Sequence, residues 1–216
     1  MYLSVNGLSF VRGELTIPAW GIWHADLYLA SSTTLPMGSA ATVQIADLTA
    51  TGTVVRSLSW TGQRGVRIVG GKAGWRRTVS AKQYANPQGL TAGTVITDTA
   101  KTVGETVTVT ADRALGFAWT RANVPASDVL QAIAPAAWYV RLDGVTVVGP
   151  RDEGSVLQSF TAVKLDQAAD ILTVATENPA EWLPGKSYAS PQVQGTIQRV
   201  RHMIDGMKLR TEVVGV

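Results

Sequence analysis

The sequence predicts a mainly β protein with an α+β unit lodged between two β-rich stretches. Three observations carry this. The first third alternates apolar and polar residues between Gly- and Asn-containing turns, which is the pattern of closely spaced strands. The middle reads helix, strand, helix, hairpin. After Pro150 the chain returns to alternation.

Taken in order, residues 2–5 and 8–12 flank Asn6-Gly7, a dipeptide that readily takes the positive φ angles of a tight hairpin. Residues 23–29 alternate, with Trp23, Ala25, Leu27 and Leu29 on one face and His24, Asp26 and Tyr28 on the other. Residues 41–46 repeat the pattern through Val43 and Ile45. Strands over 48–60 and 66–69 follow, punctuated by Gly52, Gly62 and Gly65. Such spacing argues for a sandwich or barrel.

Beyond Gly70-Gly71 the texture changes. Residues 79–85 read as one or two helical turns ended by Pro87 and Gly89. A helix is predicted over 94–103, where Val95, Ile96, Thr99, Ala100 and Val103 share one face of a 3.6-residue period. Thr94 or Thr91 caps its start, and Gly104 stands where a left-handed C-terminal cap belongs. A strand over 105–110 and a short helix over 126–134, with Val129, Leu130 and Ile133 inward, lead to strands 138–142 and 145–149 closed on Asp143-Gly144. The last strands are 156–160, 171–175, 196–202 and 207–214, the final two joined across Asp205-Gly206. The division expected is residues 1–75 together with 151–216 as a β-barrel-like domain, and 76–150 as an α+β subdomain.

At 216 residues the chain can bury a substantial core, yet only 16% of it is charged, against about 25% in ordinary soluble domains. Either partner subunits cover much of the surface, or Thr, Ser and Gln serve as the solvent face. There is no cysteine, so disulfides, thiolate catalysis and thiolate metal sites are excluded. The N-terminal stretch lacks a basic leader followed by an apolar run, so no secretory signal is expected. The longest apolar run, 132–140, is interrupted by Pro135 and is far short of a membrane span.

The net charge of +3 is unevenly placed. No acidic residue lies between Asp47 and Asp98, while Arg56, Arg64, Arg67, Lys72, Arg76, Arg77 and Lys82 all fall there. This basic block over 56–82 either meets phosphate or an acidic neighbour, or is a solvated face balanced by carboxylates from elsewhere in the fold.

No active-site constellation emerges. The segment GVRIVGGKAG (65–74) approaches a phosphate loop, but Val66 and Ala73 occupy positions that need glycine and Ser or Thr. His24 and His202 have no second histidine or carboxylate at ligand spacing. Asp152-Glu153 is the only adjacent acidic pair and reads as a solvated turn, not as the carboxylates of a sugar hydrolase. Catalytic, cofactor-binding and metal-ligating residues are therefore all expected to be none. Of the seven tryptophans, Trp23 and Trp138 are expected in the core. Trp20, Trp75 and Trp182 lie in loops, and at least one is expected to be covered by a neighbouring subunit. An alternative reading of the same residues is a carbohydrate-binding β module that stacks exposed tryptophans on sugar rings.

The runs LTAGTVITDTAKTVGETVTV (90–109) and RANVPASDVLQAIAPAAWYVRLDGVTVVGPR (121–151) carry a resemblance. Their order resembles that of the hub proteins of phage tail baseplates, related to late-control proteins and to the spike base of type VI secretion. The matching positions are the helix ending at Gly104, the strand 105–110, Arg121, Ser127-Asp128, the helix through Ala134 and the hairpin at Asp143-Gly144. The likeness covers about a third of the chain; the flanking segments are similar in pattern to tail-tube-like β-barrels. The sequence departs from a full contractile-phage hub in being shorter, and a cell-wall-cutting role is not expected. The resemblance implies a non-enzymatic structural protein of the virion, made in the host cytoplasm. It implies a homotrimer that joins the tail tube to a spike or tip and encloses a channel for DNA or a tape-measure protein. Sequence-specific nucleic-acid binding and membrane insertion are not implied. A distal tail protein, or another tail-tip adaptor, is the neighbouring alternative.

Overall fold

The computed structural model describes residues 2–30, 33–60, 63–151, 153–157, 159–190, 193–206 and 208–215. Six antiparallel strands come first: β1 (Leu3–Val5), β2 (Leu8–Pro18), β3 (His24–Leu29), β4 (Ala40–Ile45), β5 (Leu48–Trp60) and β6 (Gln63–Gly70). Their order is β1-β4-β5-β6-β3-β2, and β2 pairs back to β1, so they close into a barrel. Closure removes the exposed edges that an open sheet presents. The Asn6-Gly7 turn takes φ values of 49° and 80°, the geometry the hairpin needs. Inward residues are those the alternation marks: Trp23, Ala25, Leu27 and Leu29 are all buried.

Trp23 shows how the barrel is filled. Its indole lies over Gly52 and Gly70, which face each other across β5 and β6. A Cβ on Gly70 would stand 2.5 Å from the indole nitrogen, and one on Gly52 would stand 2.9 Å from the far ring edge. Only glycine lets the ring sit flush against the backbone at both positions.

A 3-10 turn at Gly74–Arg76 leads into the α+β unit. This comprises β7 (Thr78–Val79), β8 (Lys82–Thr91), α1 (Ala92–Val103), β9 (Val107–Val109), β10 (Ala114–Arg121), β11 (Val124–Pro125), α2 (Ala126–Ile133), β12 (Trp138–Val140) and β13 (Thr146–Val148). The predicted helix is found and starts two residues earlier. Thr91 is its cap, accepting from the Thr94 amide, and Gly104 closes it at φ 78°. All five residues of the predicted stripe are buried. The 138–149 hairpin pairs Trp138 with Val148 and adds β9 in parallel beside β13.

One segment differs in kind. Residues 79–85, expected as helical turns, are extended and run into β8, which pairs with β10 as an antiparallel ribbon. No element was expected over β10. Ala81, Lys82 and Gln83 favour helix locally, but pairing with a strand some thirty-five residues away overrides that preference.

The C-terminal strands are β14 (Thr161–Asp166), β15 (Ile171–Ala175), β16 (Ser187–Ala189), β17 (Gln194–Asp205) and β18 (Lys208–Gly215), with a 3-10 turn at Pro179–Glu181. β17 pairs with β2, so the sheet continues from the barrel through β17-β18-β15 to β14. The expected strand over 156–160 is not found; Ser155 makes one isolated bridge to Ser187, and the described residues after it are irregular. Val156 and Phe160 instead pack onto a small second core of Leu172, Val174, Trp182, Tyr188, Ile197, Val200 and Val213. The barrel and the α+β unit share the larger core.

Candidate functional site

The glycine-rich loop after β6 does bind an anion, and the anion is the protein's own. The Glu105 carboxylate accepts from the Lys72 amide at 3.1 Å and from the Gly74 amide at 2.6 Å. A Cβ on Gly74 would stand 2.3 Å from the Val103 carbonyl oxygen. These donors, which in a phosphate loop would face a nucleotide, are filled by a buried side chain. The mismatches at Val66 and Ala73 pointed the same way.

The histidines lie in different settings. His202 is fully buried; its Nδ1 lies 2.9 Å from Thr211 Oγ1, and its Nε2 has no partner among the described residues. Burial pushes the imidazole down to about 3. His24 is half-buried, and here the sequence reading needs correcting: carboxylates do stand near it. The β2–β3 register sets Glu14 opposite Asp26, so ligand atoms of Glu14, His24 and Asp26 lie within 4.8 Å of one another. Both carboxylates are already engaged. Asp26 takes a two-pronged contact from Arg67 at 2.8 and 2.6 Å, and Glu14 accepts from Arg201 at 2.8 Å. These pairs form a charged row across β17, β2, β3 and β6, along a groove of about 690 Å³ that Arg12 and Arg56 also line.

A third cluster joins the ribbon to α1. Asp98 accepts from Lys82 at 2.8 Å, from the Tyr84 hydroxyl at 2.6 Å and from Arg121 at 3.3 Å. Arg121 is buried and also donates to the Ser80 carbonyl and to Thr99 Oγ1. Burial, reinforced by the bond to Asp98, pushes the Tyr84 phenol up to about 12. Burial acts to raise the Asp98 carboxyl, but its bonds to Lys82 and Tyr84 hold it below the ordinary value. A carboxylate so heavily engaged is a tie between elements and a poor proton acceptor.

Asp152 lies outside the described residues. Glu153 stands 3.6 Å from Arg151 Nε. The Arg151 guanidinium is buried, donates to the Pro18 and Ala19 carbonyls, and lies 4.3 Å over the Tyr139 ring. It joins the end of β2 to the start of the C-terminal sheet.

Of the three loop tryptophans, two are covered within the chain, which narrows the expected subunit contact to Trp20. Trp75 and Trp182 are buried by their own chain. Trp75 donates to Thr146 Oγ1 at 2.7 Å and lies against Trp138; Trp182 packs edge-on to Phe160, 5.0 Å between centroids. Trp20 is half-buried against Tyr139. Within the basic block, Arg67 and Lys82 are neutralised by carboxylates from elsewhere, while Lys72, Arg76 and Arg77 are exposed with no ion pair among the described residues.

The closed antiparallel barrel, the sheet continuing from it and the α+β unit between them form a fold shared with solved phage tail proteins. The chain is similar to the 43 kDa tail protein of prophage MuSo2 from Shewanella oneidensis, with TM-score 0.71 and 12% identity over 99% of this chain and 97% of that one. It is similar to a tail protein from Neisseria meningitidis, with TM-score 0.69 and 15% identity over 98% and 95%. It is also similar to the E. coli c3393 protein, a component of the type VI secretion system with structural similarity to the T4 tail proteins gp27 and gp5. There the TM-score is 0.67 and the identity 10%, over all of this chain and 77% of that one. No protein-family model matches the sequence, and no curated protein matches it by sequence. At these identities the likeness is one of fold.

Proposed function

We propose that this chain is a structural, non-enzymatic component of a bacteriophage tail tip or baseplate. It forms a homotrimeric hub that connects the tail tube to the tip or spike and encloses a channel for genome ejection. The observation that carries the reading is the agreement of fold over nearly the whole chain with two tail proteins and a component of the type VI secretion system. The chemistry is in keeping with it: the Glu14, Asp26, Asp98 and Glu105 carboxylates and the Lys72 and Gly74 amides are engaged in internal contacts. Catalytic, cofactor and metal roles are accordingly assigned to no residue.

Its partners are further copies of itself, the tail tube, distal tail and spike or tip proteins, with DNA passing through the channel without sequence-specific contact. The location is the virion. No described helix is long and apolar enough to cross a membrane. Residues 1–75 and 151–216 act as the ring-forming barrel domain, since β2 and β17 pair directly, and 76–150 is the α+β subdomain.

Light scattering on the purified chain tests this. A mass near three times 22.9 kDa, with ring-shaped particles in negative stain, is the expected outcome. A sixfold mass would favour a distal tail protein, and a monomer at high concentration would refute the hub.

A further inference from the structure

The long sheet has one closed end and one open end. At the closed end β2 returns to β1; at the other, β14 pairs only with β15, so its outer edge has no neighbour among the described residues. β14 is exposed along nearly its whole length and carries Val163 at 52% and Leu165 at 38% exposure. Val163 stands at a bulge: the register passes from Ala162 opposite Val174 to Lys164 opposite Thr173, leaving it as the extra residue. An open strand edge bearing apolar side chains invites another strand.

The β8–β10 ribbon holds a matching feature. Leu115 and Trp119 pack against the main core, and by alternation Phe117 belongs with them. The register shifts on both sides of Gly116, whose φ is 87°, and Phe117 is turned out to 70% exposure. A bulge that re-aims a large aromatic into solvent marks a contact. Like β14, β10 pairs on one side only.

We propose that the open edge of β14 in one copy is covered by β10 of a second copy, with Phe117 seated against Val163 and Leu165. The contact rests on the homotrimer reading and names the surfaces that close the ring. It joins two different patches of the same chain, a head-to-tail contact that closes when the rotation is one third of a turn. Charge favours this occupant. The limb carrying β14 and β15 holds Asp166, Asp170 and Glu177 against Lys164. Arg113, immediately before β10, and Arg76 and Arg77, before β7, are exposed with no ion pair among the described residues. The acidic limb would therefore meet exposed guanidinium groups that flank the ribbon in sequence.

The chain has no cysteine, so introduced thiols report without background. The expected result is that Phe117→Cys/Val163→Cys, oxidised in dilute solution, gives covalent dimers and trimers on non-reducing gels, while neither single variant does. In parallel, Phe117→Asp and Val163→Asp are each expected to lower the mass of the full chain from trimer to monomer with an unchanged far-UV spectrum. A wild-type trimer that survives both aspartate substitutions overturns this contact and leaves the hub reading standing. A disulfide dimer from Val163→Cys alone, indicating symmetric β14–β14 pairing, also overturns it. A monomeric wild type removes both proposals together.

Discussion

The indole nitrogen of Trp23 donates to the Arg141 carbonyl oxygen, 3.1 Å away and 118 positions along the chain. One side chain thereby fills the barrel and ties it to the 138–148 hairpin. Gly70→Ala is expected to destabilise the fold by about 1–3 kcal/mol, because the new methyl group meets the indole in a packed core. Urea denaturation monitored by tryptophan fluorescence measures this. An unchanged midpoint would mean that the indole shifts at no cost.

The Glu105 carboxylate has a different role, as the internal anion of the Gly71–Gly74 loop. Glu105→Ala leaves the Lys72 and Gly74 amides without their acceptor and is expected to cost about 2–3 kcal/mol. Glu105→Gln keeps one acceptor oxygen and should cost less. Thermal unfolding of the two variants gives the order; equal losses would show that the charge and the oxygens contribute nothing separable.

The Asp98 cluster contains one buried and one exposed cation. Lys82 is 46% exposed at its side chain and Arg121 only 4%. Lys82→Ala is expected to cost less than about 1 kcal/mol, as surface ion pairs do. Arg121→Ala removes one buried and two part-buried contacts of a buried guanidinium, so a loss of about 2–4 kcal/mol is expected. Chemical denaturation of both variants makes the comparison, and a larger loss at Lys82 would reverse this assignment.

His202 predicts a pH dependence with a definite sign. Burial lowers its folded pKa to about 3 from an ordinary 6.5. As pH falls below that ordinary value, the unfolded chain takes up the proton first, so protonation favours unfolding. The contribution is therefore complete above about pH 6.5 and is lost on acidification toward about 3, at a limiting slope of about 1.4 kcal/mol per pH unit. His202→Gln should flatten that slope in denaturation curves taken across the window. If variant and wild type lose stability in parallel, other groups govern acid unfolding.

Much of this molecule was legible in the sequence because its signals are local. The alternation in 23–29, the stripe from Val95 to Val103 with Thr91 and Gly104 at its ends, and the turns at Asn6-Gly7, Asp143-Gly144 and Asp205-Gly206 are all set by neighbouring residues. Backbone dihedral preference and side-chain period act over a few positions, and one strand of text contains them.

What only the tertiary structure decided is partnership. Closure of β2 onto β1, the pairing of β8 with β10, the insertion of Glu105 into the Gly-Gly-Lys loop and the burial of Trp75 and Trp182 each join residues far apart in the chain. A free strand edge, a carboxylate or an indole is chemically the same wherever its partner lies. The chain alone states which groups need partners, and only packing in three dimensions determines which ones they receive.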